Sequence, residues 1–281
     1  MPLPERDFDP SEAGVTYRIL TAAGHEIVFA TPRGEIAEAD ASMVTGRGLD
    51  PWGWLPLANR LPLVGRILGA TPEARAAYQA MHASAAYRAP LAYAALDPAA
   101  FEALVLPGGH RAEGMRAYLE SAALQSVVAA CFDAGKPVAS ICHGVVLAAR
   151  SRSAATGRSV LHGRRTTALT WPLERTAARL GRIVRFWDPS YFRTYPEAPG
   201  EAVGHRSVQA EVTRALARPG DFRAPQRSEP DFASKTSGRA RDTDLDARPA
   251  FVVRDGLYVS ARWPGDVHLF ARTFAGVLAG N

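Results

Sequence analysis

Lys136-Pro-Val-Ala-Ser-Ile-Cys142-His-Gly-Val-Val-Leu-Ala-Ala-Arg150 is the stretch from which the rest of this chain is read. Val138 to Ile141 is an apolar run too short for a helix, so it reads as a buried strand. Val145 to Arg150 reads as the start of a buried helix. Cys142 therefore stands on the corner between them. Such a corner strains the backbone and admits only small residues two positions to either side, here Ser140 and Gly144. This is the cysteine form of a nucleophile elbow, which lifts a reactive side chain above the carboxyl end of a sheet. The amides after the corner sit at a helix N-terminus, where they lower the thiol pKa and can hold an oxyanion. The plain alternative is a structural cysteine packed in the core. The corner, the adjacent His143 and the small flanks favour the nucleophile.

A second corner lies upstream. Phe101-Glu-Ala-Leu-Val-Leu-Pro107 reads as a strand, and Pro107-Gly108-Gly109-His110 as a tight turn after it. Sites in open α/β sheets gather at the carboxyl ends of strands. A glycine corner with free amides and a cysteine corner, in that order, suit one site. Gly109 would lend an amide to an oxyanion hole, with the amide of His143 as its partner. Alone, a Pro-Gly-Gly is only a turn.

The bulk numbers bound the class. With 281 residues and 47% hydrophobic content, the chain can build one large α/β core. Its two cysteines, Cys131 and Cys142, make no disulfide framework and fit a reducing cytoplasm. Cys131 lies in a helical pattern and reads as core packing. The formal charge is +5, and Lys136 and Lys235 are the only lysines. The arginines are scattered, without a dense basic run, which argues against a nucleic-acid partner. No apolar stretch reaches membrane-spanning length, and no signal peptide is visible. The histidines are spread singly, so no metal is expected.

Along the chain, Asp9-Pro10-Ser11-Glu12 opens a helix to about Ala23, with Ser11 as the expected cap. Glu26 to Ala30 reads as a strand. Residues 42–95 are too long for an ordinary connection and read as an inserted helical cap, rich in Trp52, Trp54 and the Leu61 to Leu68 run. Whether the cap is a lid or a partner surface stays open. Met115 to Ala134 reads as one or two helices, Arg164 to Leu169 as a strand, Trp171 to Leu180 as a helix and Ile183 to Trp187 as a strand. Tyr191 to Ala202 is irregular, and Val208 to Ala217 helical. Residues 218–249 are polar and read as a mobile loop. Phe251 to Ser260 is a hairpin about Asp255-Gly256, and Val267 to Leu278 a closing helix. Strands alternating with helices give a single α/β domain over residues 1–281, with a mainly parallel sheet covered on both faces.

These pieces resemble the DJ-1/PfpI family of the class I glutamine amidotransferase-like superfamily. The resemblance rests on Asp7-Phe-Asp-Pro-Ser-Glu12, Ala22 to Pro32, Leu104-Val-Leu-Pro-Gly-Gly-His110, Ala139-Ser-Ile-Cys-His-Gly144 and Leu161-His-Gly-Arg-Arg-Thr-Thr167. It implies a flavodoxin-like three-layer sandwich and, through the cap, a likeness to the branch associated with glyoxalase III and holding-chaperone activity. It makes Cys142 the nucleophile, His143 its paired histidine, Glu12 the acid facing the thiol, and Gly108, Gly109 and His110 the oxyanion corner. Glu12 beside sulfur in a low-dielectric pocket should stay protonated and donate to a thiolate. Three departures stand out. The chain begins almost at the catalytic loop, where family members have a full first strand; a late start codon is the expected reason. No acid obviously orients the histidine, and Glu174 is the candidate. Residues 251–281 hold His268 but no Glu, which disfavours glutamine amidotransfer.

The expected activity is a cofactor-independent conversion of a small reactive carbonyl, methylglyoxal to lactate, through a Cys142 thiohemiacetal. Rival readings are a hydratase, amidase or peptidase with the same elbow, or a stress-related holding chaperone. The expected partner is a small carbonyl substrate, with a homodimer possible by analogy.

Overall fold

A computed structural model describes residues 1–280. The strands are β1 (Arg6–Phe8), β2 (Ala30–Thr31), β3 (Glu38–Ala39), β4 (Leu91–Ala92), β5 (Leu104–Leu106), β6 (Val138–Ile141), β7 (Val252–Asp255) and β8 (Tyr258–Ala261). The helices are α1 (Pro10–Ala22), α2 (Ala41–Thr45), α3 (Gly65–Leu68), α4 (Pro72–Ala83), α5 (Ala85–Arg88), α6 (Ala112–Leu119), α7 (Ala122–Asp133), α8 (Gly144–Arg150), α9 (Trp171–Val184), α10 (Val208–Ala215), α11 (Phe232–Thr236) and α12 (Val267–Leu278).

The central sheet runs β5-β6-β8-β7, parallel except for the β7–β8 hairpin. β1 with β3 and β2 with β4 form two further parallel pairs. Successive strand residues point to opposite faces. Leu104, Leu106 and Val138 enter one core with α6, α7, α8 and α10, while Val105, Ala139 and Ile141 enter another with α1, α4 and α12. The result is a three-layer α/β sandwich with a mainly parallel sheet, as expected. Helix α12 buries Val267, Phe270, Ala271, Phe274 and Val277 along one stripe. Its two phenylalanines are fully buried and stabilise the layer by roughly 2 kcal/mol each.

Several local expectations change. The cap of α1 is Asp9, whose Oδ1 accepts from the amides of Ser11 and Glu12 at 2.8 and 3.1 Å. Ser11 sits one residue inside the helix. The strand expected over 26–30 shrinks to β2. Residues 164–169 form no strand; Thr166 makes one isolated bridge to Phe222. Ile183 and Val184 prolong α9 instead of starting a strand.

The expected cap over 42–95 divides. Within residues 42–69, Met43, Val64, Ile67 and Leu68 line the same cavity as Cys142. Helix α4 lies in the layer of α1, so close that a Cβ on Gly14 would meet the Tyr78 backbone at 2.6 Å. Segment 218–249 is irregular but anchored. Asp242 accepts from the His268 and Leu269 amides at 3.2 and 2.7 Å, and Arg262 Nη1 donates to the Lys235 carbonyl. At the start of the chain, Pro2 bridges Ala30 in parallel, and the Met1 ammonium donates to Val28 O at 2.7 Å. Burial pushes that ammonium down to about 5. Next to it, between Val28 and β5, is a cavity of about 600 Å³.

Candidate active site

Cys142 follows β6 with φ 56°, the left-handed corner expected of an elbow. The corner is tight because it lies against the β5 turn. A Cβ on Gly144 would collide with the Leu106 carbonyl, and one on Gly108 would come within 2.7 Å of the His143 amide. Small residues are required at both places. The two corners therefore lie against each other.

Glu12, in the first turn of α1, is fully buried. Its Oε2 accepts from Gly108 N at 2.7 Å. Among the described residues its Oε1 has no other hydrogen-bond partner, and the carboxyl lies within hydrogen-bonding reach of Cys142. Burial and the charge of Asp9 hold the Glu12 carboxyl well above its ordinary range. This direction favours the neutral acid. The thiol departs from expectation. Burial, then Glu12 and Asp9, push Cys142 upward, and the His143 amide offsets this only in part. This direction favours the protonated thiol at rest.

His143 is buried, with Nδ1 3.5 Å from Cys142 Sγ. Burial, then His110, Arg150 and Arg193, push the imidazole down to about 3, so it is neutral. Its tautomer follows from the next partner. Thr194 Oγ1 lies 2.9 Å from His143 Nε2 and donates its own proton to the His110 carbonyl at 2.6 Å. A hydroxyl has one proton to give. Its oxygen must accept from Nε2–H, which leaves Nδ1 unprotonated and facing the thiol.

Glu174 does not orient His143. Its Oε2 accepts from Val208 N at 2.9 Å, and its Oε1 lies 3.2 Å from Arg193 Nε. Burial pushes it up to about 7, against the pull of Arg193. The expected role passes to Thr194, which the sequence reading missed. Gly108 also changes role, since its amide is taken by Glu12. Among the described residues Gly109 N makes no backbone hydrogen bond, which suits it to an oxyanion. The His110 ring packs against Tyr191 and Phe192 at 4.8 and 4.9 Å, and its Nε2 is without a hydrogen-bond partner.

Cys142, Glu12, Asp9, Gly109, His110 and Glu174 line one cavity of about 700 Å³. Its roof comes from Val64, Ile67 and Leu68 of the cap, and one side from Thr236 to Arg241. Outside this cavity, Glu73, Asp244 and His268 bring ligand-type atoms within 4.8 Å of one another. Arg18 joins Glu73 and Asp244 at 2.8 and 3.0 Å, so the cluster is an ion-pair network.

A family model described as ThiJ/PfpI family-like matches residues 3–197. The chain belongs to the ThiJ/PfpI family. This is the family, also called DJ-1/PfpI, that the motifs pointed to. A deglycase of Thermococcus kodakarensis is 48% identical over 54 residues, 19% of this chain and 31% of the relative. A deglycase of Pyrococcus abyssi is 41% identical over 78 residues, 28% of this chain and 41% of the relative. The matches thus span less than half of either curated relative. Among solved structures, the Rapid Encystment Protein of Francisella tularensis aligns with TM-score 0.59 and 14% identity, over 99% of this chain and 97% of that one. Glyoxalase III of Candida albicans aligns with TM-score 0.55 and 16% identity, over 98% and 94%. At such identities these two establish the fold. In this ThiJ/PfpI chain the matched stretch contains Cys142, Glu12, His143 and Thr194, whereas Arg241 and Trp263 of the same cavity lie beyond it. Among the described residues no helix is long and apolar enough to cross a membrane.

Proposed function

We propose that this ThiJ/PfpI protein is a cofactor-independent cysteine enzyme acting on reactive carbonyl compounds, of the glyoxalase III type. The observation that carries the reading is a thiol on a left-handed corner, between a neutral carboxyl and an unprotonated imidazole nitrogen. The names of the relatives, deglycase and glyoxalase III, are compatible with thiol addition to a carbonyl carbon.

With methylglyoxal, Sγ bonds to the aldehyde carbon and the thiol proton passes to the aldehyde oxygen, with Gly109 N–H aimed at that oxygen. His143 Nδ1 takes the proton on that carbon while Glu12 gives its proton to the ketone oxygen, forming an enediol. A ring held near 3 keeps a proton poorly, so the two transfers are concerted. His143 then protonates the second carbon and Glu12 recovers a proton from the first oxygen, leaving a lactoyl thioester. Water cleaves it, and lactate and the free thiol separate.

The test is lactate formation from methylglyoxal without glutathione. Wild type should turn over, and Cys142→Ala should lose at least about 10³-fold. Absence of turnover in wild type, or equal turnover in Cys142→Ala, would remove this reading. A second reading, a holding chaperone, draws on Leu57, Leu61, Leu63 and Ile67 of the cap, each more than 60% exposed. Suppression of client aggregation that survives Cys142→Ala would favour it.

A further inference from the structure

The cavity is far larger than the substrate with which such chemistry is ordinarily tested. At about 30 Å³ per water, a three-carbon dicarbonyl fills roughly the space of three or four waters, ~100 Å³. The cavity holds about 700 Å³, the range of sites that enclose a drug-sized compound. Most of its wall is apolar, from Val64, Ile67, Leu68, Leu173, Leu180 and Phe192. Apolar volume of this size is a place for an apolar body.

Two arginines line it, Arg239, an exposed residue, and Arg241, which is half-buried. Arg241 Nη2 donates to the Leu68 carbonyl at 3.0 Å, and the guanidinium lies 5.4 Å from the Trp263 ring centre. Among the described residues its Nε and Nη1 make no hydrogen bond. Among the described residues no carboxylate lies within 4 Å of it. This sets it apart from other arginines of the interior. Arg150 has Glu211 at 2.6 Å, Arg185 has Asp188 at 3.2 Å, Arg193 has Glu197 at 2.8 Å, and Arg262 has Asp266 at 2.6 Å. The nearest acid that acts on Arg241 is Asp9, whose Oδ1 is held by the α1 amides and which burial pushes toward its neutral form. The Trp263 indole N–H, in the same wall, is also without a partner. A guanidinium with a free edge in an apolar cavity is a carboxylate receptor in waiting.

We propose that the site takes carbonyl compounds with an apolar body and a carboxylate, the carboxylate seated on Arg241 and the carbonyl carbon presented to Cys142. The placement of the carbonyl rests on the function proposed above; the anion subsite does not.

Unreactive probes separate the two. Octanoate and octanamide have the same chain and differ in charge, and calorimetric titration of the full chain compares them. Wild type and Cys142→Ala should both bind octanoate at least tenfold more tightly than octanamide. Arg241→Met should lose that preference, with Arg241→Lys keeping part of it and circular dichroism confirming the fold. Equal binding of the two probes, binding of neither, or a preference that survives Arg241→Met would overturn the subsite. A carboxylate preference in a protein that leaves methylglyoxal untouched would retain the subsite and remove the glyoxalase reading. Turnover of methylglyoxal without the preference would do the reverse.

Discussion

The single hydroxyl proton of Thr194 fixes which nitrogen of His143 can act. Because it goes to the His110 carbonyl, the imidazole must donate from Nε2, and Nδ1 is left for the thiol. Thr194→Val keeps the shape and removes both bonds. Its kcat should fall about tenfold or more with KM nearly unchanged, and Thr194→Ser should restore most of it. Rescue failing, or KM changing alone, would mean that Thr194 serves packing only. Glu12→Gln keeps an acceptor for Gly108 N but has no acidic proton to pass. It should lower kcat by about 10²-fold or more while ligand affinity holds; activity close to wild type would exclude Glu12 from proton transfer. Cys142 and Gly109 stand out in the sequence because each follows a strand end, and Glu12 because it matches the family's motif. Thr194 does not. It lies 51 residues from His143, in an irregular stretch without periodicity, and a lone threonine carries no pattern. Glu174 was misplaced for the same reason: a buried acid in a first turn was visible, but its partner Arg193 was not.

At the scale of elements, alternation and length were read correctly where a partner strand exists and wrongly where none does. Val138 to Ile141 and the hairpin about Gly256 are paired along their whole length. Arg164 to Leu169 has the composition of a strand but meets the chain only at Phe222, so no ladder forms. The cap was mis-bounded because α4 has the same apolar character as the pieces over the cavity, while its small residues Ala74 and Ala77 serve close packing on α1. The segment 218–249 was read as mobile from its polarity. Its polar groups are what tie it down, through Asp242 at the start of α12. Asp242→Ala leaves those amides and His268 Nδ1 without their acceptor and should cost about 2–4 kcal/mol. Amide exchange should rise in residues 236–242 and KM should increase, because the segment walls the cavity. An Asp242→Ala protein with wild-type protection there would contradict this anchoring.

For the whole molecule, buried acids set the pH dependence of stability. Glu174 has a folded value of about 7 against an ordinary 4.5, so the folded chain holds its proton more tightly. Its contribution is full at low pH and is lost as pH rises between those values. Denaturant midpoints should fall over that range in wild type and fall less in Glu174→Gln; identical slopes would contradict the buried, proton-holding carboxyl. The same fold contains two buried thiols, and they make an internal comparison. Cys131 is packed in hydrocarbon and pushed up to about 11, whereas Cys142 borders the cavity. The decisive measurement is the rate of iodoacetamide labelling of each cysteine in the native protein against pH, read by peptide mass. Cys142 should label first, with an inflection above the free-cysteine value of about 8.5. Labelling at Cys131 first, no labelling of Cys142 before unfolding, or an inflection well below that value would contradict a cavity-facing thiol that rests protonated beside Glu12.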